Sequence, residues 1–316
     1  MNLLRTRRVL IWLAMIGALA LAPLGLRDYQ LIFVAELVCW GLFAMAFDLV
    51  FGYAGMLSFC QALFFGAGAY GVAYAIYSWQ SNVWAAIALG VSVALTVALA
   101  VGLVAIRVSG HHFLIITIIL SVLIHLLLES GQWRWITGGY SGRPLPTPEV
   151  PLGPLRLSLQ SEPVAFYLVV VLGLMAFAFC IRLVRSPLGR AVASIRENEV
   201  RARLIGFNVE RAKLAVFVLA GGVAGLSGAL YSLLFRFTDV SFFEWTVSGK
   251  AVMWTILGGA GTLVGPFIGS SVYMVMSGFV SEHFRSFPLV SGIVLVVMII
   301  VAPGGLMGLL RVRGFR

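Results

Sequence analysis

Three ionisable residues lie within otherwise apolar stretches of the sequence: Glu36, Asp48 and Lys250. A charge at the centre of a lipid bilayer costs about 2.5 to 3.5 kcal/mol on insertion scales, so each side chain needs a partner or a water-filled cavity. We predict that Lys250 pairs with Glu36 or Asp48 and helps to shape a polar path. A buried ion pair that only fixes the packing would explain the same residues.

The sequence lacks the motifs of membrane enzymes. It contains no HExxH, GxSxG or CxxC motif and no phosphate-binding loop. The neighbours His111 and His112 point to different sides of a helix, which disfavours a metal pair. Cys39, Cys60 and Cys180 lie within or beside apolar runs, where cysteine packs as a small hydrophobic residue. We therefore expect no catalytic residue, no metal and no cofactor.

Residues 186–212 form the most polar segment of the chain. Ser186 suits a helix N-cap and Pro187 the first helical position, while Gly206 can end a helix in the left-handed conformation. We predict one helix between these signals. Its apolar positions recur at helical spacing and form a stripe beneath the charged face: Val192, Ile195, Ala202 and Ile205.

The same helix carries two Glu-before-Arg pairs at the stabilising spacing of four residues, Glu197 with Arg201 and Glu199 with Arg203. An amphipathic helix can rest on lipid headgroups, but acidic residues weaken its attraction to anionic lipid. Mixed charges above an apolar stripe suit a protein partner better. We therefore favour a docking segment over a helix that lies on the membrane surface.

The elements that must position these residues follow from composition. The 316-residue chain is 61% hydrophobic and 11% charged, with a mean hydropathy of +1.02. Because an average soluble domain has about 25% charged residues, this composition excludes a soluble protein. The net charge of +10 does not predict nucleic-acid binding, since the cations concentrate around residues 182–213 and at the chain ends.

The apolar residues predict an all-α, polytopic transmembrane helical bundle of about ten spans, forming one domain over residues 1–316. The first span follows Arg5, Arg7 and Arg8, which place its start in the cytoplasm, as an uncleaved anchor or as a signal peptide. The parity of the spans favours the anchor. The ten segments are 9–26, 31–51, 61–78, 83–106, 113–129, 164–184, 213–235, 249–258, 264–281 and 288–302.

Ten crossings place residues 186–212 and the C-terminal tail in the cytoplasm and residues 130–163 on the opposite side. This predicted extracytoplasmic loop holds six of the 11 prolines. Proline disfavours helix and favours an extended, stiff backbone, so we expect an extended surface segment there.

Two glycine-rich breaks echo one another in the two halves of the chain, FGYAGML at residues 51–57 and LGGAGTL at residues 257–263. Transporters built from repeats place such breaks near the transported solute, although glycine also packs membrane helices closely in any bundle. We take the following residues as candidates for lining a translocation path: Asp48, Gly52, Gly55, Gln61, Lys250, Gly258, Gly259 and Gly261.

Motifs along nearly the whole chain resemble one family. They are DLVFGYAGMLSFCQALFFGAGAY, TGGYSG, SPLGRAVASIRENEVRARLIGFNVERAKLAVFVLAGGVAGLSGALY, LGGAGTLVGP and APGGLMGLL. Together they look like the permease subunits of branched-chain amino acid ABC importers, of the subtype paired with a second, related permease. The resemblance implies a multi-pass protein of the inner (plasma) membrane, surrounded by lipid, with no role in nucleic-acid binding.

The resemblance also implies partners and a coupling helix. The partners would be a second related permease forming a heterodimer, two ATP-binding subunits and a soluble substrate-binding protein, for which Arg134 and Arg143 of the outer loop are candidate contacts. Residues 186–212 would be the coupling segment that docks in the ATP-binding subunit. Its candidate coupling residues are Arg190, Arg196, Glu197, Asn198, Glu199, Arg203 and Gly206.

The solute and the energy source have alternatives. Asp48 and Gln61 depart from the residues usual in the family at their positions, and they leave open a permease for urea or short amides instead of branched-chain amino acids. A secondary transporter that uses Asp48 or Glu36 for ion coupling is a second alternative. A membrane enzyme would need paired catalytic groups at one depth, and the sequence offers none.

Overall fold

The computed structural model describes Pro23 and residues 25–79, 82–108, 110–152, 155–283, 287–302 and 304–308. Within these residues the chain is built from helices with a few short strands. The helices are α1 (Asp28–Asp48), α2 (Gln61–Trp79), α3 (Val83–Ala105), α4 (His111–Glu129), α5 (Arg134–Thr137), α6 (Glu162–Arg185), α7 (Pro187–Glu197), α8 (Glu199–Leu204), α9 (Val209–Phe235), α10 (Trp245–Gly258), α11 (Val264–His283) and α12 (Phe287–Val301).

The predicted all-α membrane bundle is confirmed. Nine of the ten apolar segments coincide with helices, and the first, 9–26, falls almost entirely outside the described residues. Five helical stretches of the described chain are long and apolar enough to cross a membrane: Asp28–Tyr53, Val83–Ala105, His111–Glu129, Glu162–Arg185 and Val209–Phe235. Helices α10 and α12, with 14 and 15 residues, are shorter than the roughly 20 residues of a full span.

Helices α2, α3 and α9 pack together at the centre of the bundle. Small residues let their backbones approach closely, as is usual between helices in lipid. A methyl group added at Gly71 of α2 would lie only 2.7 Å from the Cα atom of Gly90 in α3. Buried phenylalanines fill the space around these contacts, including Phe64, whose ring meets that of Phe217 edge-on at 5.4 Å.

An aromatic cluster joins α1, α2 and α10. The ring of Trp40 in α1 stacks on Phe65 of α2 at 5.2 Å and meets Trp254 of α10 edge-on at 5.5 Å. The indole of Trp40 donates a 3.1 Å hydrogen bond to Glu36 one turn earlier. This contact gives the partly buried Glu36 carboxylate a partner within its own helix.

Helix α6 joins the two ends of the bundle, which we call the loop end, carrying residues 130–163, and the coupling end, carrying residues 186–212. At the loop end, strands β2 (Glu149–Leu152) and β3 (Leu155–Ser158) form an antiparallel hairpin. Strand β1 (Arg143–Pro144) pairs antiparallel with β4 (Phe237–Thr238). The extended backbone predicted for this loop is confirmed over its strands, whereas helical turns occupy residues 131–141, before the first proline.

Residues 236–244 carry the chain from the loop end back into the bundle, which the sequence did not indicate. The ring of Phe243 lies against Gly66 of α2, where an added methyl group would be 2.7 Å away. The carbonyl of Phe243 accepts a 3.3 Å hydrogen bond from Ser121, and that of Val240 lies 3.2 Å from His125 Nδ1. We call residues 236–244 the re-entrant segment; helix α10 starts at its deep end.

Candidate functional site

The polar segment at the coupling end consists of two helices, so the single helix predicted from the sequence is wrong. Helix α7 ends at Asn198, whose backbone is extended (φ −159°, ψ 102°) and whose side chain accepts a 2.9 Å hydrogen bond from the Arg201 amide. The asparagine thus caps α8 and breaks the helix, since its side chain competes with helical hydrogen bonds. The predicted Ser186 cap is confirmed, and Gly206 is left-handed at φ 94°.

One of the two predicted Glu–Arg pairs forms. Glu199 accepts a 3.0 Å hydrogen bond from Arg203 and a 2.7 Å hydrogen bond from Lys213 of α9. The break at Asn198 puts Glu197 and Arg201 in different helices, and they are not among the ion pairs of the described residues. The Lys213 hydrogen bond, with a smaller contribution from Arg203, lowers the pKa of Glu199 below its ordinary value.

The predicted apolar stripe is confirmed at Val192, Ile195 and Ala202, which are buried, but Ile205 is 66% exposed. Ile205 follows α8 instead of continuing its buried face. Together with Val200 and Leu204 it leaves an apolar surface within the most polar part of the chain, and we call these three residues the exposed apolar patch. Exposed patches of this kind commonly mark interaction sites.

Most of the candidate coupling residues lie on the surface, where a partner can reach them. Glu199 is half-buried, and the other six are exposed: Arg190, Arg196, Glu197, Asn198, Arg203 and Gly206. Arg196 differs from the rest because its guanidinium reaches inward. It donates a hydrogen bond to the carbonyl of Gly52, in the first glycine break, and its aliphatic stem packs beside Gly55.

The two glycine breaks predicted from the sequence lie side by side. The Asp48 carboxylate, at the end of α1, accepts hydrogen bonds from the backbone amides of Gly261 at 2.7 Å and Leu263 at 3.0 Å. Gly55 and Gly261, equivalent positions of the two motifs, have left-handed φ angles of 70° and 77°. A methyl group at Gly261 would also lie 3.2 Å from the Gly52 carbonyl oxygen. Glycine is therefore required by both conformation and contact.

The remaining glycines of the second break pack closely as well. Gly258 lies against the backbone of Gly265, where a side chain has no room. Gly259 has a φ of 111° and meets the carbonyl oxygen of Gly304. These contacts hold the end of α10 against the start of α11 and the turn after α12.

The predicted pairing of Lys250 with Glu36 or Asp48 is wrong. Lys250 is exposed on α10, whose opposite face buries Ser248 and Thr255. The partners of Asp48 are backbone amides, with Arg196 nearby, and the partner of Glu36 is Trp40. The sequence places Lys250 near the second glycine break but does not reveal which face of α10 is covered.

Gln61, the first residue of α2, is completely buried. Neither its amide oxygen nor its amide nitrogen has a hydrogen-bond partner among the described residues. The next residue, Ala62, donates its backbone N–H to Ser248 Oγ in the first turn of α10 at 2.9 Å. Gln61 therefore lies where the starts of α2 and α10 meet.

Glu244 was missed by the sequence analysis although it stands directly before α10. It is half-buried, and one of its oxygens accepts a 2.8 Å hydrogen bond from Thr246. A signal was present, because a lone acidic residue precedes an apolar helix at this point. Its possible role became apparent only from the depth at which the re-entrant segment lies in the bundle.

A cavity of about 220 Å³ opens at the coupling end, between the first glycine break, the α3–α4 connection and the start of α8. Arg196, Glu199 and Lys213 contribute to its wall. At the loop end a cavity of about 200 Å³ is lined by aromatic side chains and Arg143.

The two arginines considered for docking a binding protein differ in their surroundings. Arg134 is exposed. Arg143 is half-buried, donates a 3.1 Å hydrogen bond to the Trp135 carbonyl and lies 4.2 Å from the centre of the Tyr77 ring. Arg143 thus has partners within the loop, whereas Arg134 presents its charge outward.

No group of three His, Cys, Asp or Glu side chains that could hold a metal ion occurs in the described part of the chain. The three cysteines are buried and free, as their apolar surroundings predicted. His125 lies within hydrogen-bonding distance of the Val240 carbonyl and 3.9 Å from Glu129. The His125 contact joins α4 to the re-entrant segment.

The sequence matches the family model described as the permease component of branched-chain amino acid transport systems over residues 31–303. The high-affinity branched-chain amino acid transport system permease protein LivM of Escherichia coli (strain K12) is 26% identical over 290 residues, 84% of this chain and 67% of LivM. The corresponding LivH of Salmonella typhimurium is 23% identical over 289 residues, 85% of this chain and 91% of LivH.

A probable LivM of Methanocaldococcus jannaschii is 25% identical over 153 residues, 45% of this chain and 40% of that protein. The similarity thus extends to an archaeal permease, although over a shorter stretch. No solved structure matches the chain significantly.

Proposed function

The chain belongs to the family of permease components of branched-chain amino acid transport systems, and from this premise we propose that it is the non-catalytic permease subunit of a binding-protein-dependent ABC importer. A second, related permease completes the path, as the separate permease proteins LivM and LivH of one kind of transport system suggest. Two ATP-binding subunits supply the energy and a soluble binding protein delivers the solute. We place this complex in the inner (plasma) membrane.

The contact between Arg196 and Gly52 carries this proposal. Arg196 belongs to the exposed polar segment, while Gly52 belongs to the break between α1 and α2. A partner that moves α7 therefore pulls on the first break, and the Asp48 carboxylate connects that break to the second. This is the arrangement that an ATP-driven switch between outward and inward access needs.

The exposed apolar patch supports docking of a protein at the same segment. Val200, Leu204 and Ile205 are 69%, 82% and 66% exposed, and they are surrounded by arginine and glutamate side chains. An apolar centre with a charged rim is typical of protein–protein interfaces. We assign this surface to the ATP-binding subunit, with coupling through the seven residues named from the resemblance.

Branched-chain amino acids are the solutes that we propose, after the relatives. Asp48 was one of two reasons to consider urea or short amides, and its carboxylate is engaged by backbone amides of the second break. Because these amides already bind the carboxylate, there is no longer a reason to assign ion coupling to Asp48. Gln61 is then the remaining difference from the residues usual in the family that bears on the identity of the solute.

The test is ATP-dependent uptake by the purified complex in proteoliposomes. We expect radiolabelled leucine, isoleucine and valine to enter when ATP and loaded binding protein are on their proper sides. Omission of this chain or of ATP should abolish uptake. Uptake of urea but not leucine, or uptake driven by an ion gradient without ATP, would contradict the proposal.

A further inference from the structure

Helices α2 and α10 begin against one another inside the bundle. The Ala62 amide in the first turn of α2 donates to Ser248 in the first turn of α10, at 2.9 Å. Just before these turns, the rings of Phe59 and Trp245 lie 6.2 Å apart. The two helices have 19 and 14 residues, so each has a substantial positive end. We call this place the N-terminal crossing.

The N-terminal crossing lies inside the membrane, well away from the loop end. Tyr77, near the end of α2, donates a hydrogen bond to the Pro144 carbonyl of the loop end. Gly66, which contacts Phe243, precedes Tyr77 by 11 residues and so lies about 16 Å further in along the helix. Glu244 follows Phe243 directly. With a hydrocarbon core about 30 Å thick, Glu244 lies near the middle of the membrane, and Gln61, 16 residues before Tyr77, lies about 24 Å in from the loop end.

An unsatisfied side chain points to a ligand at this place. Gln61 is completely buried, and both polar atoms of its amide lack a partner in the described part of the chain. Leaving such a group unpaired costs about 1 to 3 kcal/mol, and its retention in a folded protein points to a role such as ligand binding. Side chains in a helix lean toward its N-terminus, so the Gln61 amide lies at the start of α2. In this conformation Ser248 Oγ accepts the Ala62 N–H and the Cys60 carbonyl accepts the Leu63 N–H.

The face of α10 turned away from Ser248 carries exposed polar and charged residues. Thr246 and Lys250 are exposed, and the half-buried Glu244 pairs with no cation of the described residues. Such side chains at this depth do not face lipid. This face of α10 therefore faces the second permease and the path between the two subunits.

We propose that the N-terminal crossing is a binding subsite for a zwitterionic amino acid on its way through the permease. The positive end of α2 and the Gln61 amide bind the carboxylate, and Glu244 binds the ammonium group. The subsite is closed in this conformation, because Gln61 is inaccessible, and it opens when α10 moves away from α2.

This inference rests on the proposed function and makes it more specific. A zwitterion satisfies both the positive helix end and the carboxylate of Glu244. Urea and short amides have neither charge, and a simple carboxylate or amine has only one. The subsite therefore selects for the two charged groups of an amino acid and supplies a check on the solute that is separate from the binding protein.

The test is binding of radiolabelled leucine to the purified transporter complex in nanodiscs, with no binding protein present. We expect unlabelled leucine to compete with the label. Isocaproate and isopentylamine, each lacking one charge, should compete at least about tenfold more weakly. Glu244→Gln and Gln61→Met should each weaken leucine binding by a similar factor. Glu244→Asp, which keeps the carboxylate, should retain most of the binding.

Asp28→Asn and Gln132→Met are matched controls, because both residues are exposed and distant from the crossing. Size-exclusion profiles and ATP turnover show whether each variant complex is intact. Unchanged leucine binding by both Glu244→Gln and Gln61→Met, equal competition by isocaproate, or no leucine binding by the wild-type complex would overturn the subsite. ATP-dependent uptake with the binding protein tests the proposed function separately, so either idea can fail alone.

Discussion

The backbone amide of Gly261 donates a 2.7 Å hydrogen bond to the Asp48 carboxylate, although 213 residues separate the two along the chain. The other carboxylate oxygen accepts the Leu263 amide at 3.0 Å. Because Asp48 ends α1 and the two amides belong to the turn after α10, one buried side chain holds both glycine breaks together. The guanidinium of Arg196 reaches the same place from the coupling end through Gly52.

Asp48→Asn is expected to destabilise the transporter and to slow uptake. An asparagine can keep one of the two acceptors, but its amide nitrogen must then face a backbone N–H group. The loss of a charged acceptor costs about 1.5 to 3 kcal/mol. Thermal unfolding of the purified complex and leucine uptake measure the two effects. An unfolding midpoint equal to that of the control Asp28→Asn would contradict the assignment.

Arg196→Met is expected to uncouple ATP hydrolysis from transport. The variant keeps the exposed apolar patch, so the ATP-binding subunit should still bind and basal ATP turnover should persist. It loses the hydrogen bond to Gly52, and uptake per ATP hydrolysed should therefore fall. Arg201→Met is a suitable control because Arg201 is exposed and belongs to none of the described ion pairs. Equal uptake per ATP in both variants would refute a transmitting role for Arg196.

Glu199 should make the coupling end sensitive to acid. The hydrogen bond from Lys213 lowers its pKa below the ordinary value of 4.5, so the ionised form is favoured by the fold. Its contribution to stability is present above pH 4.5 and is lost as the pH falls through the lowered pKa. In Glu199→Gln this acid-dependent part should disappear from the unfolding midpoint plotted against pH. Parallel curves for the wild type and the variant would exclude the effect.

Glu199 and Gly206 should also matter for partner-stimulated ATP turnover. Gly206 has a φ of 94° with open space around it, so alanine there strains only the backbone. We expect Gly206→Ala and Glu199→Gln to abolish the stimulation of ATP hydrolysis by loaded binding protein, since both change the shape of the coupling segment. Gly131→Ala provides a control in open space. A stimulated rate like that of the wild type would remove these residues from coupling.

Gly261→Ala should destabilise the second glycine break by about 1 to 2 kcal/mol. Its φ of 77° is unfavourable for a residue with a Cβ atom, and the methyl group would lie 3.2 Å from the Gly52 carbonyl oxygen. The free energy of unfolding, measured against denaturant with Gly131→Ala as reference, gives the difference. A change within a few tenths of a kcal/mol would show that position 261 tolerates a residue other than glycine.

Lys250→Met should leave folding of the chain intact and reduce transport. Lys250 makes no ion pair with the described residues, so its loss removes no internal contact that we observe. It does remove a positive charge from the face of α10 that we assign to the path. Leucine uptake should therefore fall, while the unfolding midpoint should stay unchanged. Uptake equal to that of the wild type would exclude a role in the path.

The sequence predicts the helices well because membrane helices depend on apolar length, which is a local property. It also predicts the Ser186 cap and the paired glycine breaks, whose signals are carried by single residues. It fails at Asn198, where a side chain competes with the helix, and at Ile205, which leaves the buried face. Such outcomes depend on small differences between local alternatives.

Other features could not be predicted because they depend on contacts between distant segments. The sequence shows on which face of α10 Lys250 lies. Only the packing of α10 against α2 shows which face is covered. The depth of Glu244 follows from the contact between Phe243 and Gly66, 177 residues apart in the printed sequence. The partner of Asp48 is a backbone amide, and sequence patterns reveal side-chain charges but no backbone donors.

The pairing of β1 with β4 has a mechanical consequence. Arg143 of the outer loop lies opposite Thr238, and the re-entrant segment runs from there to Glu244 in only six residues. If a binding protein docks on this loop, as we propose, a displacement of the loop pulls on the start of α10 through these six residues. Docking of the loaded binding protein at the loop end can thus be transmitted to α10 along this short connection, without a rearrangement of the central helices α2, α3 and α9.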